Sequence, residues 1–383
     1  MRKQNWAWRR GPLALLAAVA LVVAACGADE DPVDEAPADE PAEEEPAEEV
    51  EDEEPADEEP ADEEPADEEA AGVEVTRVGV AAPEEPTDFG WNQAGIEGAE
   101  RAAERHGAEI EVAGGLGYEA PVSTLRQLAE ESQLVFAHAS GYGVAAKEVA
   151  EETDVPMIVY DSPDSREPGV SAFVEVDAFE GGYLAGIVAA NMTETGTLGI
   201  VVSATADFNW AMHSGGFIDG ARSVDPDVEI VAASIGEAAY ADVEGGTRVT
   251  ESVIASGADV ILGNGDGSAF GIMRAIESAD DDVWYIDVIG DKREVDDENI
   301  LLSGIFWDFG AVYYEAIQDV EAGTFGEENY SMSLANEGID LIQTENIPDD
   351  VWEQVEEARE SIIAGEIDIS APRTFDEVEA MLD

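Results

Sequence analysis

From residue 75 onward, short apolar runs alternate with longer stretches in which apolar residues recur at helical spacing. Such alternation is typical of a sheet of parallel strands joined by helices. The first series predicts strands at Val75–Ala81, Glu109–Ala113, Leu134–Ala137 and Pro156–Tyr160. Its helices are predicted at Trp91–Arg105, Val122–Glu131 and Gly143–Glu152.

A second series of the same kind opens after a strand predicted at Ser171–Val176. Its strands are predicted at Thr197–Val202, Glu229–Ala233, Val260–Gly263 and Val283–Val288. Its helices are predicted at Phe179–Met192, Met212–Val224, Val243–Ser256 and Ala269–Ser278. Two such series predict an α/β protein of two doubly wound lobes, whose ligand would lie beyond the carboxyl ends of the strands.

The last part of the chain predicts a return between the lobes. It contains a strand at Leu301–Phe309, a helix at Ala311–Ala322, a strand at Ser331–Ile342 and a final helix at Asp349–Ala364. We expect residues 73–175 with about 308–328 to form lobe 1, and residues 176–307 with about 329–383 to form lobe 2. A hinge of several crossing strands would join them, as a two-lobed binding protein requires.

Residues 1–25 predict a targeting signal. Four basic residues precede an apolar run, Leu13 to Ala25, that is too short to span a bilayer comfortably. Small residues then precede Cys26, the only cysteine, so no intrachain disulfide can form. One interpretation is a signal peptide cut at an Ala-x-Ala site. The interpretation that we favour is a lipobox, in which Cys26 is lipidated and holds the protein on the extracytoplasmic face of the cell membrane.

Residues 26–72 predict an acidic, disordered tether. A five-residue unit, Glu-Glu-Pro-Ala-Asp, repeats from Glu53, and residues 29–69 hold 25 acidic side chains and no basic one. Like charges at this density repel, and proline stiffens the chain. A spacer between membrane and folded body is the favoured interpretation. An acidic tail that binds cations or a basic partner is the alternative.

Acidity extends into the folded body. The chain has 90 acidic and 17 basic residues and a net charge of −73; residues 73–383 hold 65 acidic and 13 basic ones, a net of −52. This charge excludes nucleic acid as a general partner, because phosphates are held by clustered Lys and Arg. Nucleosides, which carry no phosphate, are not excluded. A body that repels itself at low salt predicts a fold that salt stabilises.

The sequence lacks the motifs of common catalysis. Its three histidines, His106, His138 and His213, lie far apart without a Cys or His partner at metal-ligand spacing. Nucleophile-elbow, phosphate-loop and zincin motifs are absent. The turn Gly263-Asn264-Gly265-Asp266-Gly267 approaches a dinucleotide fingerprint, but Asp266 would repel a pyrophosphate. We therefore expect a protein that is not an enzyme and that has neither a cofactor nor a metal.

Two aromatic loops occupy equivalent places, each after the first strand of a lobe. Residues 87–95 and 204–210 include the candidates Asp88, Phe89, Trp91, Asn92, Phe208 and Trp210. A flat ring could stack on these aromatics while polar side chains contact its edge. The alternative for the first loop is a capped helix with Phe89 and Trp91 buried in a staple. Repetition in both lobes favours a ring clamped between them.

Further candidates follow other strands. Ser140 and Tyr142 come after the third predicted strand, and three acids, Asp161, Asp266 and Asp291, follow later strands. Trp307 lies where the chain recrosses the hinge. Each acid could be a solvated loop residue, but their shared position at strand ends predicts that one or two accept hydrogen bonds from ligand hydroxyls.

The chain resembles a known family over residues 75 to about 370. The similar segments are the lipobox, Asp88-Phe89-Gly90-Trp91-Asn92-Gln93-Ala94-Gly95, Tyr183-Leu184-Ala185-Gly186, Ala221-Arg222-Ser223-Val224-Asp225-Pro226 and Trp307-Asp308-Phe309-Gly310. They are similar to the basic membrane protein family of substrate-binding lipoproteins, which resembles the bacterial purine nucleoside receptors. The resemblance implies a type I periplasmic-binding fold and an ABC permease and ATPase as partners.

The resemblance also implies residue roles. Phe89 or Trp91 and Phe208 or Trp210 would sandwich a purine base. Asp88 and Asn92 would contact the edge of the base, and Asp291 would hold ribose hydroxyls. Many relatives carry Lys at or beside the position of Trp307, where it helps to hold the sugar, so a free base such as adenine stays open beside a nucleoside.

The predicted function is capture of a purine nucleoside or nucleobase and its delivery to an ABC importer by a monomeric lipoprotein. The alternative is a ligand-sensing lipoprotein that signals to a membrane partner without transport; the sequence does not separate the two. A nucleoside hydrolase is a third option, which the lack of an Asp-rich metal cluster disfavours.

Overall fold

The structure is a computed structural model that describes residues 72–119, 121–160 and 166–382. The predicted signal peptide, Cys26, the tether up to residue 71 and Asp161 lie outside these residues. The described residues form two six-stranded sheets, each packed with helices.

The first sheet, in lobe 1, is parallel throughout. Its strands are β1 (Arg77–Ala81), β2 (Glu109–Ala113), β3 (Leu134–Ala137), β4 (Met157–Tyr160), β5 (Ser171–Val176) and, from late in the chain, β11 (Tyr330–Met332). Their order is β11-β5-β4-β3-β1-β2. The helices packed against them are α1 (Trp91–His106), α2 (Val122–Glu131), α3 (Gly143–Thr153) and α8 (Phe309–Ala322).

The second sheet, in lobe 2, has one antiparallel edge. Its strands are β6 (Thr197–Val202), β7 (Glu229–Ser234), β8 (Val260–Asn264), β9 (Trp284–Ile289), β10 (Leu301–Trp307) and β12 (Ile339–Leu341). Their order is β12-β10-β9-β8-β6-β7, and only β12 runs antiparallel to its neighbour. The helices of this lobe are α4 (Ala178–Met192), α5 (Phe208–Val224), α6 (Val243–Ala255), α7 (Ala269–Glu277), α9 (Asp349–Ile363) and α10 (Phe375–Leu382). This architecture confirms the two doubly wound lobes.

Continuous apolar runs explain why these sheets form. Every residue of β3, β4, β6 and β8 is buried. Strands buried on both faces are typical of parallel sheets covered by helices. No helix among the described residues is long and apolar enough to cross a membrane.

The chain crosses between the sheets after β5, after β10 and after β11. These crossings are hydrogen-bonded to one another. Asp177 N donates to the Met332 carbonyl and Asp308 N donates to the Gly338 carbonyl, both at 2.9 Å. Ser331 Oγ donates to Asp177 Oδ2 at 3.0 Å. The three crossings therefore form one connected hinge.

The strand predicted at Ser331–Ile342 is wrong, because the chain turns within it. A short turn of 3-10 helix, Leu334–Asn336, is closed by a reciprocal cap between Ser333 and Asn336. It separates β11, which pairs with β5, from β12, which pairs with β10. The returning segment of lobe 1 therefore reaches Met332 and not only about residue 328.

Helix α5 also differs from the prediction, and a further helix was not predicted. Helix α5 begins at Phe208 and not at Met212, because the Asp207 side chain accepts hydrogen bonds from the backbone of its first turn. The helix at Asp349–Ile363 is followed by α10, which buries Phe375 and Val378 against lobe 2.

Candidate functional site

A cavity of about 400 Å³ lies between the lobes, at the carboxyl ends of their strands. Lobe 1 contributes residues that follow β1, β2 and β3. Lobe 2 contributes residues that follow β6, β7 and β8 or that end β9 and β10. This is the edge at which open α/β sheets bind ligands. The lining residues are Glu84, Trp91, Tyr118, Ala139, Ser140, Asp207, Asn209, Trp210, Ala238, Tyr240, Ala241, Asp266, Ile289 and Trp307.

Trp91 forms one wall and is supported by a buried histidine. Its ring stacks on His138, with centroids 4.4 Å apart and an angle of 18° between the rings. His138 Nε2 donates to the Trp91 carbonyl at 2.8 Å, and Nδ1 accepts from the Tyr313 hydroxyl at 2.9 Å. Burial lowers the pKa of His138 to about 4, so the imidazole is neutral near pH 7. Trp91 remains partly exposed where it lines the cavity.

Trp210 is positioned in the same way in lobe 2. Asp207 Oδ1 accepts from the backbone N–H groups of Asn209 and Trp210, which fixes the start of α5. The Trp210 ring lies nearly parallel to that of His213, with centroids 5.7 Å apart. His213 Nδ1 donates to Asn264 Oδ1 at 3.1 Å, and burial lowers the pKa of His213 to about 3. Each lobe thus supports one cleft tryptophan with one neutral histidine.

Trp307 lies between these two walls. Its ring centroid is 6.2 Å from that of Trp91 and 6.3 Å from that of Trp210. Trp210 and Trp307 are 3% and 1% exposed, and neither indole Nε1 has a hydrogen-bond partner within the described part of the chain. A buried donor without a partner is unfavourable. These two unpaired donors are enclosed by the protein beside the cavity.

Two of the three carboxylates at the cavity are paired with tyrosines. Glu84 Oε1 accepts from the Tyr118 hydroxyl at 3.2 Å in lobe 1. Asp207 Oδ2 accepts from the Tyr240 hydroxyl at 3.1 Å in lobe 2. Burial raises the pKa of Asp207, and its hydrogen bonds oppose this shift.

The third carboxylate, Asp266, reaches across the cleft. Its Oδ1 accepts from the backbone N–H of Trp91 at 3.1 Å. Burial raises the pKa of Asp266 to about 7, and the negative charge of Asp88 adds to the shift. Neither Lys nor Arg is among the described residues that line the cavity. Its polar wall therefore favours N–H and O–H donors and disfavours anions.

Lys292 joins the lobes from a fully buried position. Its Nζ donates to Asp287 Oδ2 at 2.5 Å in lobe 2 and to the Phe89 carbonyl of lobe 1 at 2.9 Å. Asp287 is also fully buried and accepts from the Tyr285 hydroxyl. Burial raises the pKa of Asp287, and the Lys292 ammonium opposes that shift.

The turn from Phe89 to Trp91 fits closely against lobe 2. Phe89 adopts a left-handed φ of 50°. A Cβ on Gly90 would overlap Asp266 Oδ1, and a Cβ on Gly290 would overlap the Phe89 carbonyl. These two glycines therefore permit the contacts that join the lobes.

Five residues predicted from the sequence to bind ligand come together here: Trp91, Ser140, Trp210, Asp266 and Trp307. In each aromatic pair implied by the family resemblance, the tryptophan lines the cavity and the phenylalanine does not. This division follows from the helical starts of α1 and α5, which set the directions of successive side chains.

Asp88 and Asn92 lie behind the cavity. Asp88 accepts from the backbone N–H groups of Gly90, Asn92 and Gln93 and so caps α1. Asn92 is fully buried, donates to Asp88 Oδ2 at 2.8 Å and accepts from the Glu84 backbone N–H at 3.2 Å. Both side chains are thus engaged in holding the turn that presents Trp91.

Phe89 and Asp291 border a second cavity, of about 220 Å³. Phe89 meets Phe270 edge to face at 6.5 Å. Asp291 pairs with Arg293 at 2.5 Å, and this hydrogen-bonded pairing lowers the pKa of Asp291. The structure does not bring either residue to the tryptophan-lined cavity.

Tyr142 and Phe208 also lie apart from it. Tyr142 is fully buried, and its hydroxyl donates to the Gly117 carbonyl at 2.5 Å. The Phe208 ring lies 5.2 Å from the guanidinium of Arg373. Among the described residues, no three His, Cys, Asp or Glu side chains gather as metal ligands.

Several lining residues were not predicted from the sequence, among them Glu84, Tyr118, Asn209, Tyr240 and Ile289. Tyr118 and Tyr240 follow β2 and β7. Because both strands were predicted correctly, this position after a strand is the sequence signal that could have identified Tyr118 and Tyr240 as lining residues.

Comparison with known proteins adds the family. The family described as "ABC transporter substrate-binding protein PnrA-like" matches residues 75–372. The chain is 25% identical over 228 residues to the ABC transporter nucleoside-binding protein BmpA of Lactococcus lactis subsp. cremoris, a match that covers 56% of this chain and 64% of that protein. It is 23% identical over 302 residues to a purine-binding protein of Brucella abortus, covering 77% of this chain and 83% of that protein.

Among solved structures, an ABC transporter system solute-binding protein from Conexibacter woesei is similar in fold. Its TM-score is 0.66 at 22% identity, covering 77% of this chain and 99% of that structure. The family match, which spans nearly all described residues, confirms the resemblance drawn from the sequence. Proteins of this kind bind a small solute outside the cytoplasm and act with a permease and an ATPase; they are not enzymes. The chain therefore belongs to the PnrA-like family of ABC transporter substrate-binding proteins.

Proposed function

We propose that this chain captures a purine nucleoside or nucleobase between its lobes and presents it to the permease of an ABC importer. The observation that carries the proposal is the interlobe cavity of about 400 Å³, bordered by three tryptophans and three carboxylates. Cavities of this order hold small organic ligands. Two relatives that are named as nucleoside-binding and purine-binding proteins support the choice of ligand.

A purine is complementary to this lining. The ring stacks on Trp91 and Trp210, and such contacts are worth about 1–3 kcal/mol each. Its amino, ring N–H or ribose O–H groups donate to the carboxylates of Glu84 and Asp266.

Nucleotides do not fit the same electrostatics. A phosphate would enter a cavity whose described lining contains Glu84, Asp207 and Asp266 and neither Lys nor Arg. Like charges in a partly desolvated site repel strongly. We expect adenosine to bind and adenosine monophosphate to be rejected.

Binding would stabilise the arrangement in which the lobes touch. The lobes are joined beside the cavity by Lys292 with Phe89 and by Asp266 with Trp91. A ligand that contacts both walls adds to these bonds only in the closed state, so it shifts the population toward closure. The closed form is then the one presented to the permease.

Calorimetric titration of the purified full chain tests the proposal. Adenosine, guanosine, inosine and free purines are titrated beside ribose, arabinose and an amino acid mixture. We expect saturable heat with at least one purine and none with the sugars. Binding of a sugar or an amino acid with no response to any purine would refute the purine assignment.

We also propose that a lipid on Cys26 anchors the protein to the extracytoplasmic face of the membrane. The small residues before Cys26 and the acidic stretch after it support this proposal. The wild type should fractionate with membranes and carry diacylglyceryl mass on Cys26. Cys26→Ala should appear in the soluble fraction; equal membrane retention of both forms would contradict the lipid anchor.

A further inference from the structure

Asp266 stands apart from the other acids of the cavity. It follows β8 in the turn before α7 and is 9% exposed. Its Oδ1 is occupied by the Trp91 backbone N–H. Its Oδ2 accepts no hydrogen bond from the described residues, whereas Asp207 uses both oxygens. Asp266 therefore retains one acceptor at the cavity.

The position of Asp266 relates it to a stacked ring. Because it is bonded to the backbone of Trp91, the carboxylate lies beside the residue whose ring provides the stacking wall. Gly90 makes this approach close, since any Cβ there would overlap Asp266 Oδ1. A ligand stacked on Trp91 would therefore share the cavity with Asp266.

The other acids of the lining have partners within the protein. Glu84 accepts from the Tyr118 hydroxyl and Asp207 accepts from the Tyr240 hydroxyl. A ligand must therefore above all offer a donor to Asp266. A flat ring with an exocyclic amino group meets this demand.

We propose that Asp266 determines specificity by accepting a hydrogen bond from an amino group on the ring edge, so that the cleft prefers an aminopurine to the same ring without the amino group. This inference rests on the proposed purine function and deepens it. Asp266 acts by direct contact with the ligand.

The surroundings of Asp266 predict that ligand binding is coupled to the release of a proton. Burial and the negative charges of Asp88 and Glu84 raise the pKa of Asp266 to about 7, while Lys292 opposes the shift. An N–H donor stabilises the carboxylate form, so its binding lowers this pKa and releases a proton. A carboxyl with a pKa near 7 goes from about one-tenth to about nine-tenths ionised between pH 6 and pH 8. Affinity for an aminopurine should rise about tenfold over that interval.

The test compares adenosine with purine riboside, which differ only in the amino group. Each is titrated calorimetrically into the full chain at pH 6 and pH 8, in two buffers of different ionisation enthalpy. For the wild type at pH 8 we expect adenosine to bind about 10- to 100-fold more tightly than purine riboside, with net proton release near pH 7. Purine riboside should show a smaller pH dependence.

Asp266→Asn should remove the proton release and most of the preference for adenosine. Asp281→Asn, an exposed acid of the same lobe, is the matched control and should behave as wild type. Equal affinity for the two nucleosides, or an unchanged pH dependence in Asp266→Asn, would overturn the inference and leave purine binding standing. Failure of every purine to bind at either pH would overturn both.

Discussion

The buried pair of Lys292 and Asp287 predicts two separable defects. Both side chains are fully buried, 2.5 Å apart, and Lys292 also donates to the Phe89 carbonyl of the other lobe at 2.9 Å. Lys292→Met removes the charge and keeps an unbranched side chain of similar length. It leaves the Asp287 carboxylate buried with the Tyr285 hydroxyl as its remaining side-chain donor.

An unpaired buried charge lowers the free energy of unfolding by about 3–5 kcal/mol. Without the ammonium, only the hydrogen bonds from Tyr285 and the Val288 backbone oppose burial, so the pKa of Asp287 rises further and the folded state holds a proton that the unfolded state has lost. The folded-state pKa then lies above the unfolded value, and stability falls as pH rises through that interval. Lys292→Met should therefore be closer to wild type at pH 5 than at pH 8.

Urea unfolding followed by tryptophan fluorescence measures this effect. The double variant Asp287→Asn with Lys292→Met removes both charges and keeps an acceptor for Tyr285, so it should recover most of the lost stability. It does not restore the bond to Phe89, so purine affinity should stay about 10- to 100-fold below wild type, the range for a charge-assisted hydrogen bond. A single variant that matches wild type in stability at pH 8, or a double variant that binds purine normally, would contradict these expectations.

Three further outcomes are expected. Trp210→Ala should weaken purine binding by about 5- to 150-fold, while Phe208→Ala, outside the cavity, should change it little; the reverse result in a fluorescence titration would contradict the assignment. The folded pKa of Asp266, about 7, lies above an unfolded value of roughly 4, so its contribution to stability is lost as pH rises through that window. In Asp266→Asn the fall in the free energy of unfolding over this pH range, measured with urea, should be smaller by about 4 kcal/mol. The same pH dependence in the variant and the wild type would contradict this expectation. The melting temperature should rise from low to molar NaCl because the body carries a net charge of −52, and an unchanged value would contradict the predicted self-repulsion.

The sheet framework could be predicted because its signals are local. Apolar runs such as Thr197–Val202 match β6 at both ends, since a strand buried on both faces needs a continuous apolar stretch. The prediction of a single strand at residues 331–342 was wrong because this segment contains two short strands that belong to different sheets. Only the long-range partners decide that division. Helix α10 did have a local signal, Thr374 followed three residues later by Glu377, which form a capping interaction in the structure.

The site was predicted as loops, but not as individual walls. In the sequence, Phe89 and Trp91 lie in the same loop after the first strand, and nothing there decides which of them lines the cavity. The left-handed backbone of Phe89 and the start of α1 at Trp91 decide it in the structure. The stacking of His138 and His213 beneath Trp91 and Trp210 depends on packing between distant segments. No local pattern carries that information.

The three bonded crossings limit how this molecule can open. Asp177 is tied to the segment around Met332, and Asp308 is tied to Gly338, so sliding or twisting one lobe against the other would break bonds in at least two strands together. We expect bending at the crossings to be the motion that keeps those bonds. Opening should then be a rotation of one lobe about a single hinge axis. A permease would need to sense only one angle to tell a loaded receptor from an empty one.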